Sequence, residues 1–183
     1  MGLRRLADAT GELPYFVTTS VVDHVRVFTE DRYCQILIDN IKFYQNAYHY
    51  HTRGYVIMPS HFHWVLKIDP AYGTISDIMR DIKKFTAWDM FGALRAFGRI
   101  DFLGIFKQAA AFQKGQKMRF WEKRFDDEIL RNQEMFRAKL EYIHDNPVEA
   151  GLVSKAEEYK FSSAKNYCTG DHSILQVDTS FVI

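Results

Sequence analysis

The sequence has little cysteine and no long apolar run. Only two of its 183 residues are cysteine, Cys34 and Cys168. They are too few for a disulfide framework and too far apart to form a metal-binding pair. No apolar stretch approaches the roughly 20 residues that span a bilayer, and residues 1–8 lack the apolar core of a signal peptide. These absences predict a protein of the reducing cytoplasm with no membrane partner.

The chain also lacks an excess of charge of either sign, since its net charge is +1. The charges are unevenly distributed, however. Between Arg80 and Arg124 there are 11 Lys and Arg against 4 Asp and Glu, a local balance of +7 that leaves −6 for the rest. This asymmetry predicts one cationic face on a nearly neutral protein. Both a nucleic-acid-binding surface and a solvated lysine-rich helix with a basic loop fit the pattern.

Apolar and aromatic residues are abundant, at 47% and 15% of the chain. This composition excludes a disordered chain and predicts a globular protein. The length fits one domain over residues 1–183, in which 155–183 is a C-terminal extension that opens with a short helical turn.

Hydrophobic periodicity in the first half of the chain predicts a strand, a helix, a hairpin and a second helix. The strands are rich in β-branched and aromatic residues, and the helices carry apolar residues at helical spacing. Pro59 and Ser60 mark the turn of the hairpin. In chain order the elements are a strand at 14–22, a helix after the N-cap candidate Thr29, strands at 53–58 and 61–68, and a helix that begins at Gly73-Thr74.

The second half predicts one more strand and one more helix. The strand lies within 118–130, and Asn132 caps a helix that we expect to end near Asp145, because Pro147 disfavours helical geometry in the residue before it. Residues 98–118 predict a helix end followed by a mobile basic loop. The order β-α-β-β-α-β-α has no tandem βα repeat. It predicts an α+β fold, with an antiparallel sheet of about four to five strands flanked by helices.

Two histidines stand out in the stretch 58–65, Met-Pro-Ser-His-Phe-His-Trp-Val. Residues at i and i+2 of a strand point to one face, so His61 and His63 project together while Phe62 and Trp64 face the core. Two adjacent imidazoles can share a divalent ion, although a polar sheet face that happens to hold two histidines fits as well. Two ligands are too few for a metal, so a third must come from elsewhere in the chain.

A second group of polar residues lies on the last predicted long helix. Tyr142 and Asn146 are at i and i+4, which places them on one helix face. An amide oxygen suits Mg²⁺ or Mn²⁺, and a cation beside a phenol favours the phenolate form. Tyr142 also lies close to an apolar stripe, so a rim or core tyrosine is the alternative. His144 is two residues from Tyr142, points elsewhere, and is best interpreted as structural.

These motifs together resemble those of the single-tyrosine HUH transposases, and in particular the REP-associated tyrosine transposases. The similarity extends over nearly the whole chain, from Tyr15 to about Tyr167. The His-x-His pair alone is a weak signal, but its combination with the tyrosine motif is specific. The residues that carry the resemblance are Met58-Pro-Ser-His-Phe-His-Trp-Val65, Lys83-Lys84-Phe85-Thr86, Trp121, Phe125-Asp126, Tyr142-Ile-His-Asp-Asn-Pro-Val-Glu-Ala-Gly-Leu-Val153 and Ser162-Ser163.

The resemblance implies a ferredoxin-like HUH-nuclease fold and an active site. His61 and His63 would bind Mg²⁺ or Mn²⁺, and Asn146 matches the third ligand. Tyr142 matches the nucleophile that forms a 5′-phosphotyrosine link with single-stranded DNA or a DNA hairpin. Because the imidazoles bind metal in their neutral form, we expect activity to fall below about pH 6.5. The implied branch favours a monomer over a homodimer.

The basic residues of the central region are the candidates for contacting the DNA backbone. Each is also a plausible solubilising residue on a helix or loop. Trp88, Phe120 and Trp121 can stack on unpaired bases, although core packing is the alternative for all three. The candidate DNA-binding residues are Arg80, Lys83, Lys84, Lys117, Arg119, Lys123 and Arg124.

Two rival functions remain open at this point. One is a catalytically idle, domesticated protein that binds DNA hairpins. The other is a metal hydrolase that uses water, which requires a general base beside the metal; neither Glu141 nor Asp145 is obviously placed for that role.

Overall fold

The computed structural model describes residues 10–111, 115 and 117–180. In this part of the chain, four strands form one antiparallel sheet: β1 (Tyr15–Ser20), β2 (His51–Met58), β3 (His61–Lys67) and β4 (Asp126–Ile129). The α-helices are α1 (Asp31–Tyr48), α2 (Ile75–Ala96), α3 (Ile100–Ala109), α4 (Gln133–Glu149) and α5 (Ala164–Thr169). Short 3-10 turns cover Val22–His24 and Ala156–Glu158.

The strand order across the sheet is β2-β3-β1-β4. This order, with the chain running β1-α1-β2-β3-α2 before β4, is ferredoxin-like and confirms the predicted α+β class. The central pair β1–β3 places Thr18 opposite His63 and Ser20 opposite His61. The described residues contain four strands, the lower end of the predicted range.

The two faces of the sheet differ in what covers them. One face carries alternate residues of the central strands, such as Tyr15, Phe62 and Trp64, and packs against α1, α2 and α3 in the larger core. The opposite face carries Phe16 and Val65 among others, and α4 covers it through a smaller apolar cluster. His61 and His63 lie on this second face because of strand alternation, as the sequence predicts.

Helix α4 lies close to the sheet because β2 has a glycine beneath it. A Cβ atom on Gly54 would come within 2.8 Å of the Cδ1 atoms of both Ile143 and Leu140. Asn132 caps the helix, as predicted, by accepting a hydrogen bond from the backbone N–H of Met135 at 2.9 Å. Ile143 is fully buried on the sheet side, which leaves the neighbouring Tyr142 at the rim.

Helix α2 begins as predicted and α1 begins slightly later than expected. Thr74 is the N-cap of α2, and it forms a reciprocal capping box with Asp77. The N-cap of α1 is Glu30 rather than Thr29, a shift of one residue that is common at helix ends.

Two predictions about helices were wrong. Residues 98–118 are not simply a helix end and a loop, because α3 occupies Ile100–Ala109 and buries Phe106; residues 112–114 and 116 of this segment lie outside the described part. Helix α4 does not end near Asp145 but continues through Pro147 to Glu149. Proline removes one backbone donor, yet the buried Pro147 ring stays within the helix, whose end is closed by backbone bonds at Ala150 and Gly151.

The C-terminal segment packs along β2. The Ser163 and Asp178 backbone N–H groups donate to the carbonyl oxygens of Tyr55 and Thr52 at 2.8 and 2.9 Å. Leu175 joins the larger core.

Among the described residues, no helix is long and apolar enough to cross a membrane.

Candidate functional site

The two imidazoles predicted as metal ligands are adjacent on β3. The ring centroids of His61 and His63 are 4.9 Å apart, with the ring planes at 77°. His63 is 4% exposed, and its Nδ1 is hydrogen-bonded to the Thr18 hydroxyl at 2.8 Å. Its buried Nε2 has no hydrogen-bond partner among the described residues. A proton on Nδ1 donated to Thr18 leaves the Nε2 lone pair free, and this is the state in which histidine binds a metal.

Burial favours the neutral form of both imidazoles. Desolvation, with smaller effects of His61 and Lys139, lowers the pKa of His63 to about 3. Desolvation and the charge of His24 also lower the pKa of His61 below its ordinary value. The sequence-based expectation of a loss of activity just below pH 6.5 assumed ordinary histidines. The lowered pKa values mean that protons compete for these nitrogens less effectively than for ordinary histidines, so we now expect that loss at lower pH.

Tyr142 lies beside this pair. Its ring centroid is 5.2 Å from that of His63, at an interplanar angle of 68°, and 6.1 Å from that of Phe16. The side chain is 46% exposed, so one side of the phenol contacts the site and the other faces solvent. Tyr142 is thus a rim residue open to a ligand, and the structure brings it together with His63 across 79 residues of sequence.

Asn146 lies one helical turn after Tyr142 on α4. Its side-chain amide nitrogen donates to the backbone carbonyl of Tyr142 at 2.7 Å. The helix continues past this residue, so the i, i+4 relation to Tyr142 that the sequence predicts holds. The described hydrogen bond uses the amide nitrogen and leaves the amide oxygen as the group able to ligate a cation. Among the described residues, the structure shows no contact between this oxygen and either imidazole.

The donor set fits a hard divalent cation only in part. Within residues 10–111, 115 and 117–180, no three His, Cys, Asp or Glu side chains form a group able to hold a metal. A third protein ligand would therefore be of another type, such as the Asn146 amide oxygen. The buried and unpaired Nε2 of His63 is the observation that favours a metal here, since such an atom costs free energy without a partner. Water and a phosphate oxygen would fill the other positions, as is usual for Mg²⁺.

Two residues that the sequence does not single out also contribute to the site. Thr18 holds His63 through the hydrogen bond described above. Lys139 lies one turn before Tyr142; its Nζ is 4.7 Å from the Phe16 ring centroid and 2.8 Å from a Glu128 carboxylate oxygen. It places a positive charge close enough to His63 to affect its pKa. The i, i+3 spacing of Lys139 and Tyr142 is a sequence signal for this neighbour, whereas the strand register that aligns Thr18 is not.

His144 points away from the site, as predicted. Its Nε2 is 2.8 Å from the Ser163 hydroxyl, and its ring lies 5.4 Å from that of Tyr167. The same hydroxyl accepts a hydrogen bond from the Tyr55 backbone N–H at 2.9 Å. Burial lowers the pKa of His144 to about 4. This histidine therefore joins α4 to β2 and to the start of α5.

Most of the candidate DNA-binding residues line one cleft. The cleft has a volume of about 680 Å³ and lies between α2 and the segment 117–123. Of the seven predicted residues, five line it: Lys83, Lys84, Lys117, Arg119 and Lys123. Arg95 adds a further cation that was not among the candidates.

Arg80 and Lys83 are engaged within the protein, whereas Arg124 is exposed and does not line the cleft. Arg80 does not line the cleft and forms ion pairs with Asp77 and Asp81 at 2.7 and 2.9 Å. The Lys83 Nζ donates to the backbone carbonyls of Glu122 and Arg124 at 2.8 and 3.3 Å. Desolvation and then the charge of Arg119 lower the pKa of Lys83 to about 8. Lys83 thus fastens α2 to the opposite wall of the cleft.

The three aromatic candidates for base stacking differ in exposure. Phe120 and Trp121 are 2% and 6% exposed and belong to the larger core, whereas Trp88 is 70% exposed. Only Trp88 of these three offers a ring face to a ligand.

This chain is similar to solved structures of proteins described as transposases. A REP-associated tyrosine transposase bound to a REP hairpin matches with a TM-score of 0.63 and 21% identity, over 91% of this chain and 87% of that one. A candidate transposase from Deinococcus radiodurans matches with a TM-score of 0.44 and 21% identity, over 73% of this chain and 89% of that one. No protein-family model matches the sequence, and no curated protein does.

The four-stranded antiparallel sheet and its flanking helices define an α+β fold of ferredoxin-like strand order. The chain has the fold of a REP-associated tyrosine transposase, as its motifs predict.

Proposed function

We propose that this protein is a metal-dependent tyrosine transposase that cleaves and rejoins single-stranded DNA next to a hairpin. The observation that carries the proposal is the approach of the half-exposed Tyr142 ring to within 5.2 Å of the buried His63 ring. A phenol beside neutral imidazoles suits attack on a phosphate that is held by a cation. The transposase that shares this fold was solved with a REP hairpin, so a DNA hairpin is the partner we propose.

In the proposed reaction, the Tyr142 hydroxyl oxygen attacks the scissile phosphorus. A bond forms between that oxygen and phosphorus, and the bond from phosphorus to the 3′-oxygen of the preceding nucleotide breaks. The phenol loses its proton to solvent, and the leaving oxygen takes one up as a 3′-hydroxyl. The 5′-phosphotyrosine product conserves the phosphodiester, so a second DNA 3′-hydroxyl can attack it and release Tyr142.

The chain contributes the positioning of these groups. His61 and His63 would hold Mg²⁺ or Mn²⁺, together with the amide oxygen of Asn146. When bound, such a cation would supply Lewis-acid polarisation of the phosphate. Thr18 fixes the orientation of His63, and α4 holds Tyr142 at the rim, where a DNA strand can reach it. Because the fold already orients Tyr142, less entropy is lost in the reaction than with a free phenol.

Covalent capture of DNA tests the proposal. Wild-type protein with Mn²⁺ and a labelled hairpin that carries single-stranded flanks should give a denaturant-resistant protein–DNA adduct, and Tyr142→Phe should give none. Tyr72→Phe is the matched control, since Tyr72 is 50% exposed, close to the 46% of Tyr142, and contacts His49 instead of the site. An adduct that persists in Tyr142→Phe overturns the assignment of the nucleophile.

The same assay separates the rival functions. A catalytically idle hairpin-binding protein would shift the hairpin in a native gel and form no adduct with any variant. A hydrolase that uses water would cut the DNA without an adduct and would incorporate solvent oxygen-18 into the product phosphate. We propose a monomer as the working form, which sedimentation of the free protein and the DNA complex would test.

A further inference from the structure

The cleft between α2 and the segment 117–123 combines exposed cations with one exposed indole. Trp88 is 70% exposed, whereas Trp64 and Trp121 are 0% and 6% exposed. A side chain with this much apolar surface is usually buried. Its ring lies 6.2 Å from that of Phe85 between centroids, at an interplanar angle of 70°, and Trp88 lines the cleft. A broad aromatic surface among cations is the combination that binds unpaired bases.

Three lysines of the cleft keep their charge available for a ligand. Lys84, Lys117 and Lys123 are exposed and line the cleft, and none of them forms an ion pair with a described carboxylate. The Lys84 Nζ lies 4.8 Å from the Phe85 ring centroid, a contact that does not neutralise its charge. Arg119 is different, because it pairs with Glu122 and also donates to the Trp121 carbonyl. The free charge of the cleft is therefore held on side chains that surround the indole and can reach a phosphate backbone.

We infer that this cleft binds an unpaired stretch of single-stranded DNA, with one base stacked on the Trp88 indole and the flanking phosphates on Lys84, Lys117 and Lys123. The inference rests on the proposed function in that it takes DNA as the ligand. Stacking on an aromatic ring tolerates any base, so the subsite gives affinity and not sequence recognition.

The wall of the cleft is joined to β1, the strand that neighbours the imidazole-bearing β3. The Glu122 backbone N–H donates to the Ser20 carbonyl at 2.8 Å, and Ser20 is the partner of His61 across β1 and β3. DNA bound in the cleft can follow this wall to the end of β1. The Trp88 subsite would thus hold the strand on one side of the scissile phosphate.

A neighbouring groove provides the contrast. Phe43 is 67% exposed and lines an apolar groove on the other side of Phe85, but Asp39 and Asp89 line the same groove. Their carboxylates repel phosphates, so Phe43 is an exposed aromatic residue in the wrong electrostatic surroundings. Its substitution is the matched control for Trp88.

The test measures binding of fluorescein-labelled dT12 by anisotropy at low salt. We expect Trp88→Ala to weaken binding about tenfold or more, the range for loss of one base–aromatic stack, and Phe43→Ala to leave it within twofold. Trp88→Phe should retain most of the affinity and lose the quenching of tryptophan emission that dT12 causes in the wild type, because the other two indoles are buried. Unchanged affinity in Trp88→Ala overturns the stacking inference.

The lysines are tested through salt dependence. Each phosphate contact to a single strand contributes about 0.7 to the slope of log K against log salt, so Lys84→Gln with Lys123→Gln should reduce that slope by about 1.4. A slope equal to that of the wild type would contradict the assignment. The covalent adduct assay is independent of this test. If no Tyr142-dependent adduct forms but Trp88→Ala still weakens dT12 binding, only the proposed chemistry is rejected. If the adduct forms but Trp88→Ala binds dT12 as the wild type does, only the subsite is rejected.

Discussion

Adjacent threonines in β1 illustrate how single residues prepare the site. Thr18 faces the imidazoles and is 2.8 Å from the His63 Nδ1, whereas Thr19 is 1% exposed on the opposite face. A hydrogen-bond partner on the second nitrogen fixes the tautomer and the ring orientation of a metal-binding histidine.

We expect Thr18→Val to weaken Mn²⁺ binding by roughly 10- to 100-fold, since loss of an outer hydrogen bond to a ligand has effects of this size. Electron paramagnetic resonance of free Mn²⁺ measures the affinity without DNA. Thr19→Val is the control; its hydroxyl has no partner among the described residues, so the substitution should leave Mn²⁺ affinity unchanged. Equal affinities in the two variants would exclude a role for the Thr18 hydroxyl.

Lys139 is a second residue that we expect to contribute to the site, through a positive charge close to Tyr142 and His63. It lies one turn before Tyr142 and carries a positive charge that is felt at His63. We expect Lys139→Met to reduce the rate of adduct formation by about 100-fold, a typical loss for one group that stabilises developing charge, with hairpin affinity little affected. Single-turnover kinetics measure this rate.

Glu128→Gln is the control for the Lys139 prediction. It removes the carboxylate that lies 2.8 Å from the Lys139 Nζ and keeps the lysine charge, so the rate should not fall. A loss as large as that of Lys139→Met would instead indicate that the ion pair itself is required.

For single residues, the sequence predicts which side chains carry the proposed chemistry better than it predicts which residues contact them. The i, i+2 spacing on a strand is enough to place His61 and His63 on one face. The contact of Tyr142 with His63 follows from the family motif, because no local rule relates residues on a distant strand and helix. Thr18 could not be identified, since its position opposite His63 depends on strand register.

Among the elements, helix α4 packs so closely on the sheet that a larger side chain beneath it would not fit. Gly54 lies beneath it, and any Cβ there would meet Ile143 and Leu140 at 2.8 Å. We expect Gly54→Ala to destabilise the fold by about 1–3 kcal/mol, the usual cost of overpacking, and to reduce adduct formation further by displacing Tyr142. Urea denaturation and the adduct assay measure the two effects.

Gly92 supplies the comparison, because a Cβ there would meet nothing within 4 Å. It is exposed within the last two turns of α2, so Gly92→Ala should stabilise the fold by about 0.5–1 kcal/mol through the lower entropy of the unfolded chain. If Gly54→Ala were as mild as Gly92→Ala, the close packing of α4 would not be needed.

The elements that the sequence mispredicts have identifiable causes. Gly98 adopts a φ of 66° that ends α2, and with Gly104 it makes the segment look irregular. The helical spacing of Phe102 and Phe106 was nevertheless available, and Phe106 packs on Phe120 with ring centroids 5.0 Å apart. Pro147 is tolerated in α4 because tertiary packing outweighs the local preference of the residue before it.

Across the whole molecule, the proposed chemistry and the proposed strand-binding cleft lie on different surfaces. The imidazoles lie beneath α4, and Tyr142 is carried by that helix. The cationic cleft is formed by α2 and the segment 117–123. The charge asymmetry of the sequence predicts that a cationic face exists. It does not reveal which cations are free, because Arg80 and Arg99 are paired with carboxylates while Lys84 and Lys123 remain exposed.

A metal that binds only the folded protein must also stabilise it as a whole. We expect Mn²⁺ at about 100 times its dissociation constant to add about 2.7 kcal/mol to the free energy of unfolding, seen as a rise in melting temperature. His63→Ala should abolish this rise, and His51→Ala, which alters an exposed histidine at the start of β2, should keep it.

The pH dependence of this stabilisation tests the burial of the pair. The pKa of His63 is lowered to about 3, so this imidazole remains neutral at pH 6, where an ordinary histidine of pKa 6.5 is mostly protonated. Burial also lowers the pKa of His61, so the rise in melting temperature with Mn²⁺ should fall less between pH 7.5 and pH 6 than it would for two ordinary histidines. Without metal the same burial works against the fold in acid, because below pH 6.5 the unfolded chain binds protons that the folded His63 rejects down to about pH 3. A stabilisation by Mn²⁺ that is half lost at pH 6.5 would mean that the imidazoles titrate as free histidines, and the buried ligand pair would have to be abandoned.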